Sequence, residues 1–513
     1  MKRITSVIMI LWASVLIGCS DFLEPKSQSE FVPKTAQDLN EMLLGEVYMG
    51  PEDGGMYGAL GILDDDVTTR PVAYDVELQS KVDQLKFAYT WSDDRYVYAT
   101  NYNIYETVYQ QIVGCNAVLD FIDGVSGAKE QKDYVRAQAL AMRGFYYFYL
   151  VNLYGKPYSF DKTAPGVPLK LRSKLENSTP ARNRVEEVYG QIVSDFCEAE
   201  ELYLSLSESL QWKSDGRASL PMVQLMLSRV YLYMEDWKQA MAYGEKVMKH
   251  TKFSMLDLST IDPFLENVTG YPVYYKYSNP EVIFLFGAES DVLSLPYSSY
   301  LYKMQPSGFN AFAFFNVASR ELVEAFDDRD LRKERYLMRC QQRTGEVGTF
   351  YCPFGKYESS ANYGMSIGVG EQWGGALKIT EAYLNAAEAA AALYMKGEGD
   401  TYKTKALDWM NQLRYYRFSG EDYKKVEEVS EVSNGTLLDF VREERRRELC
   451  FENHRWFDLR RYGMEPLTHE WYNSADEVVE YSLEKNDPGF TLLIPKEAME
   501  MNSALVQNDK RGK

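Results

Sequence analysis

The strongest constraint on the fold is a helical periodicity that arrives in adjacent pairs. Between Glu130 and Tyr154, apolar or small residues recur at Ala137, Leu140, Ala141, Gly144, Phe145, Phe148 and Val151. That spacing marks one helix face, and Gly155-Lys156-Pro157 ends it. The face is wide and aromatic, so this helix is expected to be buried on several sides. Leu220 to Met248 reads as two helices with a turn near Glu235-Asp236. Leu227, Ser228 and Tyr231 lie on the first helix and Ala240 on the second. Lys378–Leu393 with Lys403–Leu413 reads as another pair, joined across Gly397 to Asp400. Tyr102–Ile122 with Glu130–Tyr154 reads as a third.

A Leu-small-x-x-aromatic core on one helix, with a small residue where the next helix crosses, is the tetratricopeptide spacing. Such units need neighbours to bury a continuous core, whereas unrelated antiparallel helix pairs share the periodicity without the stacking. Two irregular stretches interrupt the helices. Gly50–Tyr98 is rich in Gly, Asp and Tyr, and Tyr271–Trp373 mixes one strand-like run, Val282–Phe286, with Gly, Ser and aromatic residues. Long loops on a helical scaffold point to a binding surface. Aromatic residues make up 14% of the chain, with 40 Tyr against 24 Phe and 8 Trp. Tyrosine in that excess over core needs suggests recognition surface, because its ring is flat and apolar and its edge polar.

The first residues read as a lipoprotein signal. Lys2 and Arg3 supply the charge, Ile8 to Ile17 the apolar run, and Gly18 the small residue before Cys19. Residues 1–18 are expected to be removed and Cys19 acylated, leaving a body from 19 to 513 held to a membrane by acyl chains. No other apolar run approaches the length of a membrane span. The net charge of −19 argues against nucleic acid, which needs clustered Lys and Arg, and against anionic lipid. It suits neutral ligands or a basic partner. Apart from Cys19 the cysteines are Cys115, Cys197, Cys340, Cys352 and Cys450, an odd number that leaves at least one thiol unpaired. Whether Cys340 and Cys352 staple a loop is left open. His250, His454 and His469 are not clustered, so no metal site is expected.

Nucleophile elbows, P-loops, dinucleotide glycines and HExxH are absent from their required contexts. Gly368-Val369-Gly370 is only a two-glycine fragment. Asp64-Asp65-Asp66 has the chemistry of a calcium turn, but the reading preferred is an acidic turn in solvent; structural calcium stays open and no cofactor is expected. A carboxylate pair for glycoside hydrolysis arises by chance among 75 acidic residues. The densest charged segment, Val441 to Arg461, interleaves arginines with Glu444, Glu448, Glu452 and Asp458. Arginine forks partly buried against Trp456 are expected there, rather than a basic patch for an anionic ligand.

These pieces together resemble the SusD/RagB family. Cys19-Ser20-Asp21-Phe22-Leu23-Glu24 is similar to the family's start. Tyr105–Asn116 and Ala139–Tyr147 through Leu153-Tyr154-Gly155 resemble its first helices. Glu321-Leu322 through Asp328, Asp330, Leu331 and Arg332 resembles its mid-chain motif, and Glu381–Ala389 its repeat helix. Glu443–Leu449 through Arg455–Arg461 is the most specific block. Ile494-Pro495, Glu497, Asn502 and Gln507-Asn508 resemble its end. There are two departures. Arg414-Tyr415-Tyr416-Arg417 spaces its arginines one residue further apart than the usual Arg-x-Arg, and Asp509-Lys510-Arg511 replaces the usual Pro-Gly-aromatic ending.

The resemblance implies a mostly α, SusD-like fold, with tetratricopeptide-like helix pairs packed against a loop-rich half holding few short strands. It divides the body into an N-terminal region, about 19–250, and a C-terminal region, about 270–513. It implies a surface-exposed outer-membrane lipoprotein that captures oligosaccharide and passes it to a SusC-type TonB-dependent transporter without cutting it. Ligand contacts are expected from two regions. The first holds Tyr74, Trp91, Asp93, Asp94, Tyr96, Tyr98 and Asn101; the second holds Tyr297, Tyr300, Tyr302, Phe309, Phe312 and Phe315. Preformed aromatic platforms reduce the ordering cost of binding a flat sugar ring. The alternatives are a protein-only scaffold or lid of the transporter, a binder of peptide or glycoprotein, and, least favoured, a glycoside hydrolase.

Overall fold

The computed structural model describes residues 32–50, 60–70, 86–93, 104–174, 179–263, 274–287, 300–304, 310–314, 316–341, 349–352, 356, 373–474 and 477–512. The principal helices are α1 (Ala36–Glu46), α2 (Ile104–Phe121), α3 (Lys129–Tyr154), α4 (Val185–Ser205), α5 (Leu220–Tyr233), α6 (Trp237–Met248), α7 (Ile379–Met395), α8 (Asp400–Tyr415), α9 (Leu437–Leu449) and α10 (Arg455–Arg461). The strands are short: β1 (Val67–Thr69), β2 (Val282–Phe286), β3 (Tyr300–Met304), β4 (Asn310–Phe314), β5 (Asn316–Ala318), β6 (Met338–Gln341), β7 (Thr349–Cys352), β8 (Gly375–Lys378), β9 (Leu467–Ser474) and β10 (Glu477–Leu483). They pair antiparallel as β1–β5, β2–β8, β3–β4, β6–β7 and β9–β10. In the β6–β7 register Cys340 stands opposite Phe350 and Cys352 opposite Met338, so the two cysteines are diagonal neighbours. Cys115, Cys197 and Cys450 are free thiols.

The helices form one array in which each packs on the next from α2 through α8. The three expected pairs are α2–α3, α5–α6 and α7–α8, and α4 bridges the first to the second. This stacking is what separates repeat units from unrelated helix pairs. Helix α3 is buried at every position from Ala137 to Tyr154. The reason is that α1, α2 and α4 surround it, and the rings of Phe284 and Phe286 on β2 meet Phe145 edge-on. Its one buried arginine, Arg143, is forked onto Asp195 of α4 at 2.7 and 2.8 Å.

The tetratricopeptide positions do the work their spacing implies. The Ser228 hydroxyl donates to the Ala240 carbonyl at 2.8 Å, fixing α5 on α6, and Tyr231 stacks on Tyr243. Arg229 forks onto Glu381 at 2.5 and 2.6 Å and joins α5 to α7. Gly244 lets α6 approach α7 closely: a β-carbon there would stand 2.9 Å from the Ala382 carbonyl oxygen and 3.0 Å from the Ala386 methyl.

Helix α9 begins at a capping box, in which Thr436 and Asp439 satisfy each other's backbone N–H groups. It then carries carboxylates inward. Glu444 and Glu448 are fully buried. Arg332 reaches Glu444 at 2.8 Å and Asp330 at 2.6 Å, and Arg417 holds Glu448 at 2.8 and 2.9 Å and Glu281 at 2.7 Å. Arg414 pairs with Glu444. Arg414 and Arg417 thus go to different carboxylates of α9, Glu444 and Glu448. On α10, Arg461 forks onto Glu388 of α7 at 2.6 and 2.7 Å. Burial alone would raise the Glu388 carboxyl; the Arg461 charge and fork hold it at about 2. The arginine forks and pairs expected of this segment are thus present; Arg445 on Asp458 is buried, while Arg455 on Asp65 and Arg461 on Glu388 are part-buried. Trp456 stacks on Phe490.

Filling the α6–α7 contact is expected to be costly. Gly244→Val should lower stability by about 1–3 kcal/mol through overpacking. Gly190→Ala, in the exposed middle of α4 with open space around it, should raise stability by about 0.5–1 kcal/mol. Thermal unfolding of the two variants side by side checks both signs.

Candidate glycan-binding site

The two loop-rich stretches share one root. Strand β1 lies within the first, ahead of its expected ligand residues, and β5 lies within the second, just after its own; they pair with Val67 opposite Ala318 and Thr69 opposite Asn316. Residues far apart in sequence are thereby brought side by side at the mouths of both stretches. Two further bonds tighten the junction: the Ser319 N–H donates to the Asp66 carbonyl at 2.8 Å and its hydroxyl to the Asp65 carbonyl at 2.7 Å.

Asp64-Asp65-Asp66 anchors this root, which corrects the solvent-turn reading. Asp64 is 4% and Asp66 1% exposed. Arg455 forks onto Asp65 at 2.6 and 2.8 Å, and Arg446 holds Asp66 at 2.7 Å. Arg446 from α9 and Arg455 from α10 thus pair with two of the three carboxylates. Among the described residues no group of three or more His, Cys, Asp or Glu is placed to hold a metal. Burial, with Asp66 and Asp65 adding to it, pushes the Asp64 carboxyl well above the ordinary carboxylate range. Burial acts the same way on Asp65, but the Arg455 hydrogen bonds and charge outweigh it and hold that carboxyl at about 2.

The β9–β10 hairpin is the floor under the first stretch. The Thr69 hydroxyl donates to the Glu470 carbonyl at 2.7 Å, and Lys86 Nζ to Asn473 at 3.0 Å. Both ends of the segment 71–85 are therefore tied to one hairpin. Arg511, in the chain end that departs from the family pattern, donates to the carbonyls of Thr90 at 2.9 Å and Ser482 at 2.7 Å and to Asp487 at 2.9 Å.

The expected ligand residues divide into three groups. Trp91 is not available to a ligand: it is fully buried, stacked on His469 with centroids 4.2 Å apart, and its indole N–H donates to the Leu63 carbonyl at 2.9 Å. Its left-handed backbone, φ 49°, turns the ring down into the core. Asp93 accepts from the Arg511 backbone N–H at 3.3 Å. Tyr300, Tyr302 and Phe312 lie on the β3–β4 hairpin, where Tyr300 is opposite Phe314 and Tyr302 opposite Phe312. The register thus sets two pairs of aromatic positions across the hairpin. Tyr74, Asp94, Tyr96, Tyr98, Asn101, Tyr297, Phe309, Phe315 and Cys19 lie outside the described residues. Sequence reasoning missed Arg446 and Arg455 as partners of the aspartate triplet, because nothing local joins positions about 390 apart in the chain. A separate cavity of about 560 Å³ has arginines in its lining, Arg329, Arg414 and Arg447, and these are already paired with Asp327 and Glu444.

A stacked helical array, a loop-rich half of short paired strands, and a charged root joining the loops define a helical-repeat scaffold that presents loops. The comparisons agree. The family model for starch-binding proteins associating with the outer membrane matches residues 21–232, and the SusD family model matches 341–510. The chain belongs to the SusD/RagB family. SusD-like protein P2 of Formosa agariphila is 23% identical over 90% of each chain. A SusD superfamily protein from Bacteroides vulgatus superposes with a TM-score of 0.70 at 18% identity, over 94% of this chain and all of that one. A laminarin-binding SusD-like protein superposes at 0.62 and 18% identity, over 93% and 99%. No described helix is long and apolar enough to cross a membrane.

The Asp65–Arg455 pair gives a signed pH prediction. The folded carboxyl sits at about 2, below its ordinary 3.8, so the pair stabilises above pH 3.8 and its contribution is lost as pH falls towards 2. The gap in unfolding midpoint between wild type and Asp65→Asn should narrow between pH 4 and pH 2. A gap that stays constant over that range would rule the pair out as the source.

Proposed function

We propose that this protein is a cell-surface lipoprotein that captures oligosaccharide and delivers it to a SusC-type TonB-dependent outer-membrane transporter. In this reading Cys19 carries the acyl anchor. The aromatic positions of the two rooted stretches make the sugar platform, Tyr74 and Tyr96 from the first and Tyr297, Tyr300, Tyr302, Phe309 and Phe312 from the second, with the amide of Asn101 as a polar partner. The protein holds the glycan without cleaving it. The observation that carries the reading is the Thr69–Asn316 pairing, which gives two aromatic-rich regions one origin. Two cross-strand pairs of aromatic positions in the β3–β4 hairpin support it, since pyranose C–H faces pack on flat rings. The laminarin-binding relative makes β-glucan the first ligand to try.

Affinity electrophoresis of the mature body, starting at Ser20, through gels carrying laminarin and other polysaccharides tests this. One glycan should retard the protein. Tyr300→Ala and Tyr302→Ala should each weaken retention about tenfold, or about 1.4 kcal/mol, with unchanged unfolding midpoints. Trp91→Ala should instead lower stability by about 3–5 kcal/mol, as a core deletion. No retardation by any glycan, or aromatic variants that bind as wild type, would defeat the proposal.

A further inference from the structure

His469 of β9 is 3% exposed, and both of its ring nitrogens face carbonyl oxygens. Nδ1 lies 2.9 Å from the Tyr89 carbonyl and Nε2 lies 2.8 Å from the Asp64 carbonyl. A carbonyl oxygen only accepts. A neutral imidazole has one N–H, so it serves one of these oxygens and turns a lone pair towards the other; only the imidazolium donates to both. The flat face of the ring lies on Trp91, with planes 26° apart, which suits a ring cation on an indole.

The groups around the ring are consistent with a cation. From the 64–66 segment, Asp65 brings a carboxylate shared with Arg455, Asp66 is held by Arg446, and burial pushes the Asp64 carboxyl well above the ordinary carboxylate range. From the 86–91 segment, Tyr89 meets the ring edge-on at 5.3 Å, and Lys86 reaches over Trp471 and Tyr481. From β10, Tyr481 is the cross-strand neighbour of His469. Burial pushes the imidazole down and outweighs the upward push of the two carbonyls and Asp65; the case for the cation is the pair of carbonyl acceptors, which calls for two N–H donors.

We propose that His469 is an imidazolium at neutral pH, a cationic pin that draws the Asp64 and Tyr89 carbonyls onto β9. Those carbonyls lie in the segments on either side of residues 71–85, so the pin clamps the root of the first ligand stretch. Its consequence for capture rests on the glycan reading; the pin itself does not. The sign follows from linkage. A proton bound more tightly in the folded than in the unfolded state stabilises at low pH and is lost as pH rises through the folded value.

The test uses the mature protein with ¹⁵N-labelled histidine and no ligand, so its failure and a failure to bind glycan are separable. The chain has three histidines. Nε2 of His250 bonds Gln224, and the Nδ1 of His454 faces Arg445. At pH 7 one histidine alone should show two protonated ring nitrogens, and His469→Gln should remove that signal. The wild-type unfolding midpoint should fall by several degrees from pH 7 to pH 9, and the variant's should fall less. If every histidine shows a single protonated ring nitrogen at pH 6.5, the proposal is overturned, whether or not the variant folds.

Discussion

The buried arginine–carboxylate network on α9 and α10 is the interaction on which the rest depends. Through Glu444 and Glu448, α9 gathers Arg332 from one segment and Arg414 and Arg417 from another. Through Arg446 and Arg455, the same helix pair grips the aspartate triplet under the loop root. Through Arg461 it locks onto α7 of the array. Charges this deeply buried are tolerable only when each is paired and oriented, and removing one partner leaves the other stranded. That requirement gives the network its specificity: a helix shifted by one turn would leave several ions unpaired at once.

Two kinds of order meet at this network. The array from α2 to α8 is held by apolar stacking and close backbone approach, as at Gly244, and each member touches mainly its neighbours. The loop half has little such repetition. It is organised by pairings between distant segments: β1 with β5, β2 with β8, and the β9–β10 hairpin with the ends of residues 71–85. A rigid array bearing loops fixed at their roots is the arrangement that a preformed ligand platform requires.

The array was largely legible in the sequence, because helix periodicity is local. Ser228, Tyr231 and Ala240 marked a repeat unit that the packing bears out, and Val282–Phe286 marked β2. The signal for α4 was also there: its buried Val188, Tyr189, Ile192, Phe196, Ala199 and Tyr203 follow helical spacing, though no motif names it. Leu467, His469 and Trp471 alternate as one buried face of β9, a weak pattern that only the floor role makes meaningful. The site was less legible, because burial is not local. Trp91 stands in a Gly- and Asp-rich stretch and reads as exposed, yet a left-handed turn sends it into the core. Asp64 to Asp66 look solvated until Arg446 and Arg455 are brought to them.

The central claim is that one charged root holds both loop-rich stretches, and amide hydrogen exchange at Val67–Thr69 and Val317–Ala318 tests it most directly. Wild type should show slow exchange in both strands. In Arg446→Met the account predicts that both strands open together, with exchange faster by the same factor, while α3 and α5 keep their protection. Strands that exchange independently of one another, or that stay closed when Arg446 is lost, would contradict it.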